Sequence, residues 1–255
     1  MKTGSVIIFL AALVAVTSGQ PDWSFTSPTG PNEWAKIGYK DCGGLTQSPI
    51  DIVKNDPSVK AGKKLRFADF TKYPKESKFC IVQNKGAPTY NCCSADGCGS
   101  LVWNGVKYRL AQYHMHALSE HRIDGLAYPV EIHFVHVSSD GGLAVIGVLF
   151  KEDRAKLVNP DIKAIFAKKS LASENGDESI KIRVRSLIKG QKHFYYYRGS
   201  LTTPPCTEGV KWFVGKYSVS IDKRSYDKYW GQIGGYPGNT RDTQPLNGRR
   251  VKYSV

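Results

Sequence analysis

Residues 101–117 read LVWNGVKYRLAQYHMHA, and residues 130–137 read VEIHFVHV. The first stretch holds Asn104-Gly105, a dipeptide that accepts the positive φ a two-residue hairpin turn needs, followed by alternating residues. The second alternates again. His114 and His116 stand two apart. On a strand the two-residue period sends both imidazoles to one face. A helix would turn them about 200° apart by its 3.6-residue period. His133 falls on the next predicted strand, and Asp124-Gly125 supplies a turn between the two. Two neighbouring strands thus bring three imidazoles toward one point.

Outward from this stretch the pattern stays strand-like. Residues 143–150 (LAVIGVLF) form a continuous apolar run, as in a strand buried on both faces. Residues 180–185 (IKIRVR) alternate apolar and basic, as in a half-exposed strand. One helix is predicted from Pro160 to about Leu171, with Asn159 as cap and Pro160 in the first turn. The 25 glycines and 13 prolines are scattered, with no repeat and no low-complexity linker. A chain of 255 residues with 41% hydrophobic and 23% charged side chains suits one mostly-β globular domain.

Residues 6–16 (VIIFLAALVAV) follow Lys2 and precede the small residues Thr17, Ser18 and Gly19. That layout predicts a secretory signal peptide over 1–19, a mature domain over 20–255, and no membrane anchor. The protein is therefore expected to be secreted and extracellular. The six cysteines, Cys42, Cys80, Cys92, Cys93, Cys98 and Cys206, suit an oxidising compartment, which favours disulfides over metal-ligating thiols for the Cys92, Cys93, Cys98 cluster. Six cysteines allow 15 pairings. The formal charge is +14, or +13 without Lys2. A solvated basic surface is the simpler account, and contact with an acidic matrix or other polyanion is the alternative. No aromatic-interleaved basic stripe points to nucleic acid.

Three histidines with no thiolate or carboxylate suit a catalytic zinc whose fourth position stays open. Neutral ligands leave the full double charge on the ion, which acidifies bound water. A His-x-His on a strand is by itself more often packing than chemistry.

The flanking motifs are more specific. They run from Trp23 and TGPNEW (29–34) through Gln47-Ser48-Pro49-Ile50-Asp51-Ile52 to Gln112-Tyr113-His114-Met115-His116. Next come Ser119-Glu120-His121, Glu131-Ile132-His133-Phe134-Val135-His136, Gly199 to Cys206 (GSLTTPPC) and Asn239 to Leu246 (NTRDTQPL). In this order they resemble the alpha-carbonic anhydrase family over nearly the whole mature chain. The resemblance implies a single domain on a large, twisted, mainly antiparallel sheet with a few short surface helices. It also implies Zn2+ as cofactor and the reversible hydration of carbon dioxide to bicarbonate and a proton.

On the matching positions, His114, His116 and His133 resemble the zinc ligands. Gln112 and Glu131 resemble the acceptors that orient their rings. Thr202 and Glu120 resemble the gate that aligns the zinc-bound nucleophile. Val135, Val145, Leu201, Val210 and Trp212 resemble the apolar wall beside carbon dioxide, and Thr203 a residue beside the product. His121 resembles a buried structural histidine bonded near Tyr197, and Cys42 and Cys206 resemble a family disulfide that would brace the gate loop. The remaining four cysteines are expected to staple a local loop. His136, three residues past His133, is expected on the opposite face in a structural role, and His193 has no assigned role.

The chain departs from the family pattern in three places. The segment Asn84-Lys85-Gly86-Ala87-Pro88-Thr89 has no histidine where many animal enzymes carry a proton shuttle. Ala117 follows the His-x-His where an aromatic is common, and Phe25 stands where a tyrosine is common. A slower, buffer-dependent enzyme is therefore expected, with Lys85 one conceivable proton carrier. The competing readings are a catalytically weak extracellular matrix or polyanion-binding relative, and a generic three-histidine hydrolase or metal-sequestering protein. The assembly is expected to be a monomer or dimer.

Overall fold

The computed structural model describes residues 21–153, 159–167, 178–188, 191–233, 235 and 238–255. The signal peptide expected over residues 1–19 lies outside them, as does Leu171, the expected end of the helix.

Among the described residues, fifteen strands and four α-helices follow one another along the chain. They begin with β1 (Asp51–Ile52), β2 (Val59–Ala61), α1 (Phe67–Phe70), β3 (Thr71–Lys72), β4 (Ser77–Val82) and β5 (Thr89–Cys92). The hairpin and central strands are β6 (Ser100–Trp103), β7 (Val106–His116), β8 (Arg122–Ile123), β9 (Val130–Ser138) and β10 (Leu143–Glu152). Then come α2 (Pro160–Ala167), β11 (Ser179–Ile182), α3 (Val184–Ile188), β12 (Phe194–Ser200) and β13 (Glu208–Gly215). The chain ends with β14 (Val219–Ile221), α4 (Lys223–Gln232) and β15 (Val251–Tyr253).

One large sheet dominates, its main path ordered β11-β4-β5-β7-β9-β10-β13-β12-β15-β2. Pairing is antiparallel along most of the path and parallel at β10–β13, at β15–β2 and where β14 joins β10. The fold is mostly β with few short helices, as expected. Asn104 (φ 49°) and Gly105 (φ 79°) make the tight turn joining β6 to β7. Asp124 (φ 52°) and Gly125 (φ 78°) make the turn after β8.

The two faces of the sheet carry different cargo. Tyr113, Met115, Ile132, Phe134, Ala144, Ile146, Val148 and Phe213 bury one face in the main apolar core. Val135, Val145, Leu149, Val210, Trp212 and Tyr197 pack together on the other. On β7 the alternation changes phase. Tyr108 and Leu110 belong to the main core, but so do Tyr113 and Met115. The β7–β9 register slips between Leu110 and Gln112, leaving Ala111 as the extra residue of a β-bulge. The bulge keeps Tyr108 and Leu110 in the core while placing Gln112, His114 and His116 on the opposite face.

The strand read over 180–185 is shorter than expected. β11 stops at Ile182, paired with Ser77 at the start of β4, where its partner strand ends. The Arg183 backbone N–H turns instead to Asp161 Oδ1 at 3.1 Å. Val184, Leu187 and Ile188 then bury themselves at helical spacing as α3. The predicted helix does start at Pro160, capped by Asn159 Oδ1, which accepts from Asp161 N at 2.9 Å.

Candidate metal centre

His114 on β7 lies directly opposite His133 on β9 in the ladder, and His116 opposite Glu131. The ring centroids of the three histidines are 4.5–5.2 Å apart. One nitrogen from each lies within 4.8 Å of the others.

Each ring is pinned through its other nitrogen. His114 Nδ1 donates to Gln112 Oε1 at 2.9 Å, and His116 Nδ1 to the Asn239 carbonyl at 2.7 Å. His133 Nε2 lies 2.9 Å from Glu131 Oε1, though off the line of a directed hydrogen bond. A buried carboxylate oxygen this close still holds the N–H on that side. An acceptor-only partner fixes the proton on the facing nitrogen and leaves the lone pair on the other. His114 Nε2, His116 Nε2 and His133 Nδ1 therefore carry the lone pairs. Burial is the first cause that lowers all three rings, joined for His114 by the neighbouring imidazoles. His116 falls to about 4, and the set is neutral at ordinary pH. His116 Nε2 is buried without a hydrogen-bond partner. An orphaned lone pair among neutral imidazoles fits a divalent cation of zinc type.

Glu131 anchors the floor of the site. Its Oε2 accepts from the backbone of Glu120 at 3.0 Å and of His121 at 2.8 Å, and its Oε1 from His121 Nδ1 at 2.7 Å. Burial pushes this carboxyl up, but the His121 and His133 rings outweigh that and hold it well below its ordinary range. His121 Nε2 accepts from the Tyr197 hydroxyl at 2.7 Å, whose oxygen in turn accepts from the Ser48 hydroxyl at 2.8 Å. Gly147 on β10 faces this carboxylate so closely that a Cβ there would sit 2.7 Å from Glu131 Oε1.

Glu120 is wholly buried above the triad. Its Oε1 accepts from Arg241 N at 2.9 Å, and its Oε2 lies 3.5 Å from His116 Nε2. Burial raises this carboxyl to about 7, against the pull of His133, the Thr202 hydroxyl and Arg241 N. Thr202 is buried beside it, but Oε2 lacks a well-formed hydrogen bond. Val135, Val145, Val210 and Trp212 gather in one buried cluster with Leu201 against it. The Trp212 ring is 4.7 Å from that of His133. Thr203 is half-buried, its carbonyl accepting from Cys206 N at 2.9 Å.

His136 lies on the opposite face of β9, with Nε2 2.9 Å from the Tyr73 hydroxyl. Cys42 and Cys206 are bonded, and Cys80–Cys93 and Cys92–Cys98 join the middle of β4 and the end of β5 to the loop that follows β5.

Two residues received no role from the sequence. Asn239 accepts His116 Nδ1 on its carbonyl, accepts from Ala117 N on Oδ1 at 3.0 Å, and donates to Met115 O at 2.9 Å. The Arg241 guanidinium donates to Gln47 Oε1, Ser48 O and Cys42 O at 2.7–2.9 Å, while its backbone holds Glu120. The only signal for either was the run NTRDTQPL in which they sit.

Residues 29–255 match the family of eukaryotic-type carbonic anhydrases. Alpha carbonic anhydrase 3 of Arabidopsis thaliana is 36% identical over 98% of this chain and 92% of its own length. The solved alpha-carbonic anhydrase of Thermovibrio ammonificans, complexed with the inhibitor sulfanilamide, superposes with a TM-score of 0.76 at 32% identity. That overlap covers 92% of this chain and all of the other. Dioscorin, solved with ascorbate, shares the fold with a TM-score of 0.75 at 27% identity over 91% of this chain and 98% of its own. The match over nearly the whole length, on a fold that opposes His114 to His133, makes this chain a member of the eukaryotic-type, or alpha, carbonic anhydrase family.

Proposed function

We propose that the chain is a secreted zinc carbonic anhydrase that works without a histidine proton shuttle. The family reaction is the reversible hydration of carbon dioxide. The observation that carries the zinc reading is the convergence of three neutral imidazole nitrogens whose partner nitrogens are already engaged. His114 Nε2, His116 Nε2 and His133 Nδ1 would hold the ion. When bound, zinc in such a set acts as a Lewis acid and makes water a nucleophile near neutral pH.

The chain's own groups do the rest. Gln112, Asn239 and Glu131 hold the rings in one tautomer and one orientation. In its ionised form Glu120 can only accept, so Thr202 is left to donate to it and present a lone pair to the reacting water. Val135, Val145, Leu201, Val210 and Trp212 offer a small neutral substrate an apolar wall. Thr203 lies beside the product on the same loop.

Proton exit is the weaker part of the machine. His121 and His136 are buried and bonded, and segment 84–89 contains no histidine. Gly86 is backed by the Phe25 ring, and Lys85 is paired with Asp22. The proton is left to water and external buffer. Three disulfides support an oxidising compartment.

Stopped-flow carbon dioxide hydration tests this reading on zinc-loaded and chelator-stripped protein at two buffer concentrations. Zinc-dependent hydration that rises with buffer is expected. A folded, zinc-loaded sample with no hydration overturns the enzyme reading, and a rate indifferent to buffer overturns the missing shuttle.

A further inference from the structure

The cationic surplus of the chain has a definite place on the fold. Where β12 and β15 meet the segment before β15, a cavity of about 380 Å³ is lined by Tyr196, Tyr197, Arg198, Arg249, Arg250 and Lys252. Four of these six are cationic and none is acidic.

The strand register extends the charge on both sides. Arg198 on β12 lies directly opposite Lys211 on β13. Lys252 on β15 lies between Tyr196 on β12 and Lys60 on β2. Like charges set opposite each other across strands are destabilising, so the sheet holds two such pairs at a cost. None of Lys60, Arg198, Lys211, Arg250 and Lys252 forms an ion pair among the described residues. Asp140 feels the charge of Lys211, and Glu208 that of Arg249, through the field alone.

Arg249 plays a different part from its neighbours. Its guanidinium donates to Leu246 O, Arg198 O and Pro245 O at 2.7–3.1 Å and lies 5.7 Å from the Tyr197 ring centre. Its charge is therefore fixed in position. Arg198, Arg250 and Lys252 are exposed, and their side chains donate to no protein acceptor among the described residues.

We propose that this cavity binds a polyvalent oxyanion, a molecule or chain bearing several phosphate or sulfate groups. Neighbouring strands are about 4.8 Å apart, and residues two apart on a strand about 6.7 Å. The cations thus form a grid that several linked anionic groups span and a single carboxylate does not. Free arginine forks match the oxygen pairs of phosphate and sulfate. The cavity lies apart from the metal ligands on β7 and β9 and touches their support only through Tyr197, whose hydroxyl bonds His121.

The test is calorimetric titration of the full chain with inorganic tripolyphosphate and, separately, with a heparin-derived tetrasaccharide. The two arms distinguish a phosphate from a sulfate source. Saturable binding that weakens between about 50 mM and about 300 mM NaCl is expected. Arg198→Gln/Arg250→Gln/Lys252→Gln should weaken it about tenfold, three screened charge contacts being lost. Arg250→Gln alone should fall between. Lys72→Gln/Lys75→Gln/Lys107→Gln, with the same loss of charge elsewhere, should bind like the parent. All variants should retain parental circular dichroism and carbon dioxide hydration. Equal weakening in both triple variants, or no saturable binding of the parent in either arm, overturns the proposal.

Discussion

The floor of the metal centre and the rim formed by Asn84–Thr89 are built on opposite terms. On the floor, His114, His116 and His133 sit on two strands joined by a long ladder, and every ring leans on a named acceptor. Glu131 alone faces two backbone N–H groups and two imidazoles. On the rim, residues 83–86 are exposed, Lys85 pairs with an exposed Asp22, and Asn84 bonds mainly within its own loop. A floor in which each group serves several others resists change until one is lost and the rest are stranded. A rim held by surface pairs can change without stranding a buried group.

The sharpest break is His133→Ala. Zinc content should fall from stoichiometric to background by elemental analysis, and hydration should fall to that of metal-free protein. Glu131→Gln keeps the shape but removes the charge and one acceptor. It should weaken zinc binding about 10- to 100-fold in a chelator competition. Gly147→Ala should act in the same direction by pushing a Cβ toward Glu131 Oε1, although no ligand is touched.

The disulfides extend the comparison to stability. Cys42–Cys206 closes a separation of 164 residues beside Arg241, whose backbone holds Glu120, and Cys80–Cys93 a separation of 13 across the two strands that flank the rim. Loop entropy predicts losses of about 5 and about 3 kcal/mol on replacing each pair by serine, read from denaturant midpoints. The smallest effect should come from Lys85→Ala. Its pair with Asp22 is exposed on both sides, so stability should change by less than about 1 kcal/mol, with hydration at high buffer unaltered. A large loss there would make the rim as integral as the floor.

Much of this was legible from local chemistry. Asn104-Gly105 announced the β6–β7 turn because few other pairs tolerate positive φ twice in a row. The spacing of His114 and His116 put both on one face of a strand. Residues 180–185 misled because alternation describes two faces, whereas the partner strand ends at Ser77 and releases the chain into α3. Asn239 and Arg241 stayed silent because their roles run through backbone atoms and through partners far away in the chain.

The sequence by itself determined the β class, the strand turns and the shared face of His114 and His116, since each depends on residues within a few positions of one another. Only the tertiary structure decided that the β7–β9 ladder slips at Ala111, which turns His114 and His116 away from the face that buries Tyr108 and Leu110. It alone decided that Glu131 serves both His121 and His133, and that Arg198, Lys252 and their flanking lysines come together on one sheet end. Register is a relation between strands, and no property of one segment specifies which distant residue will stand across from it.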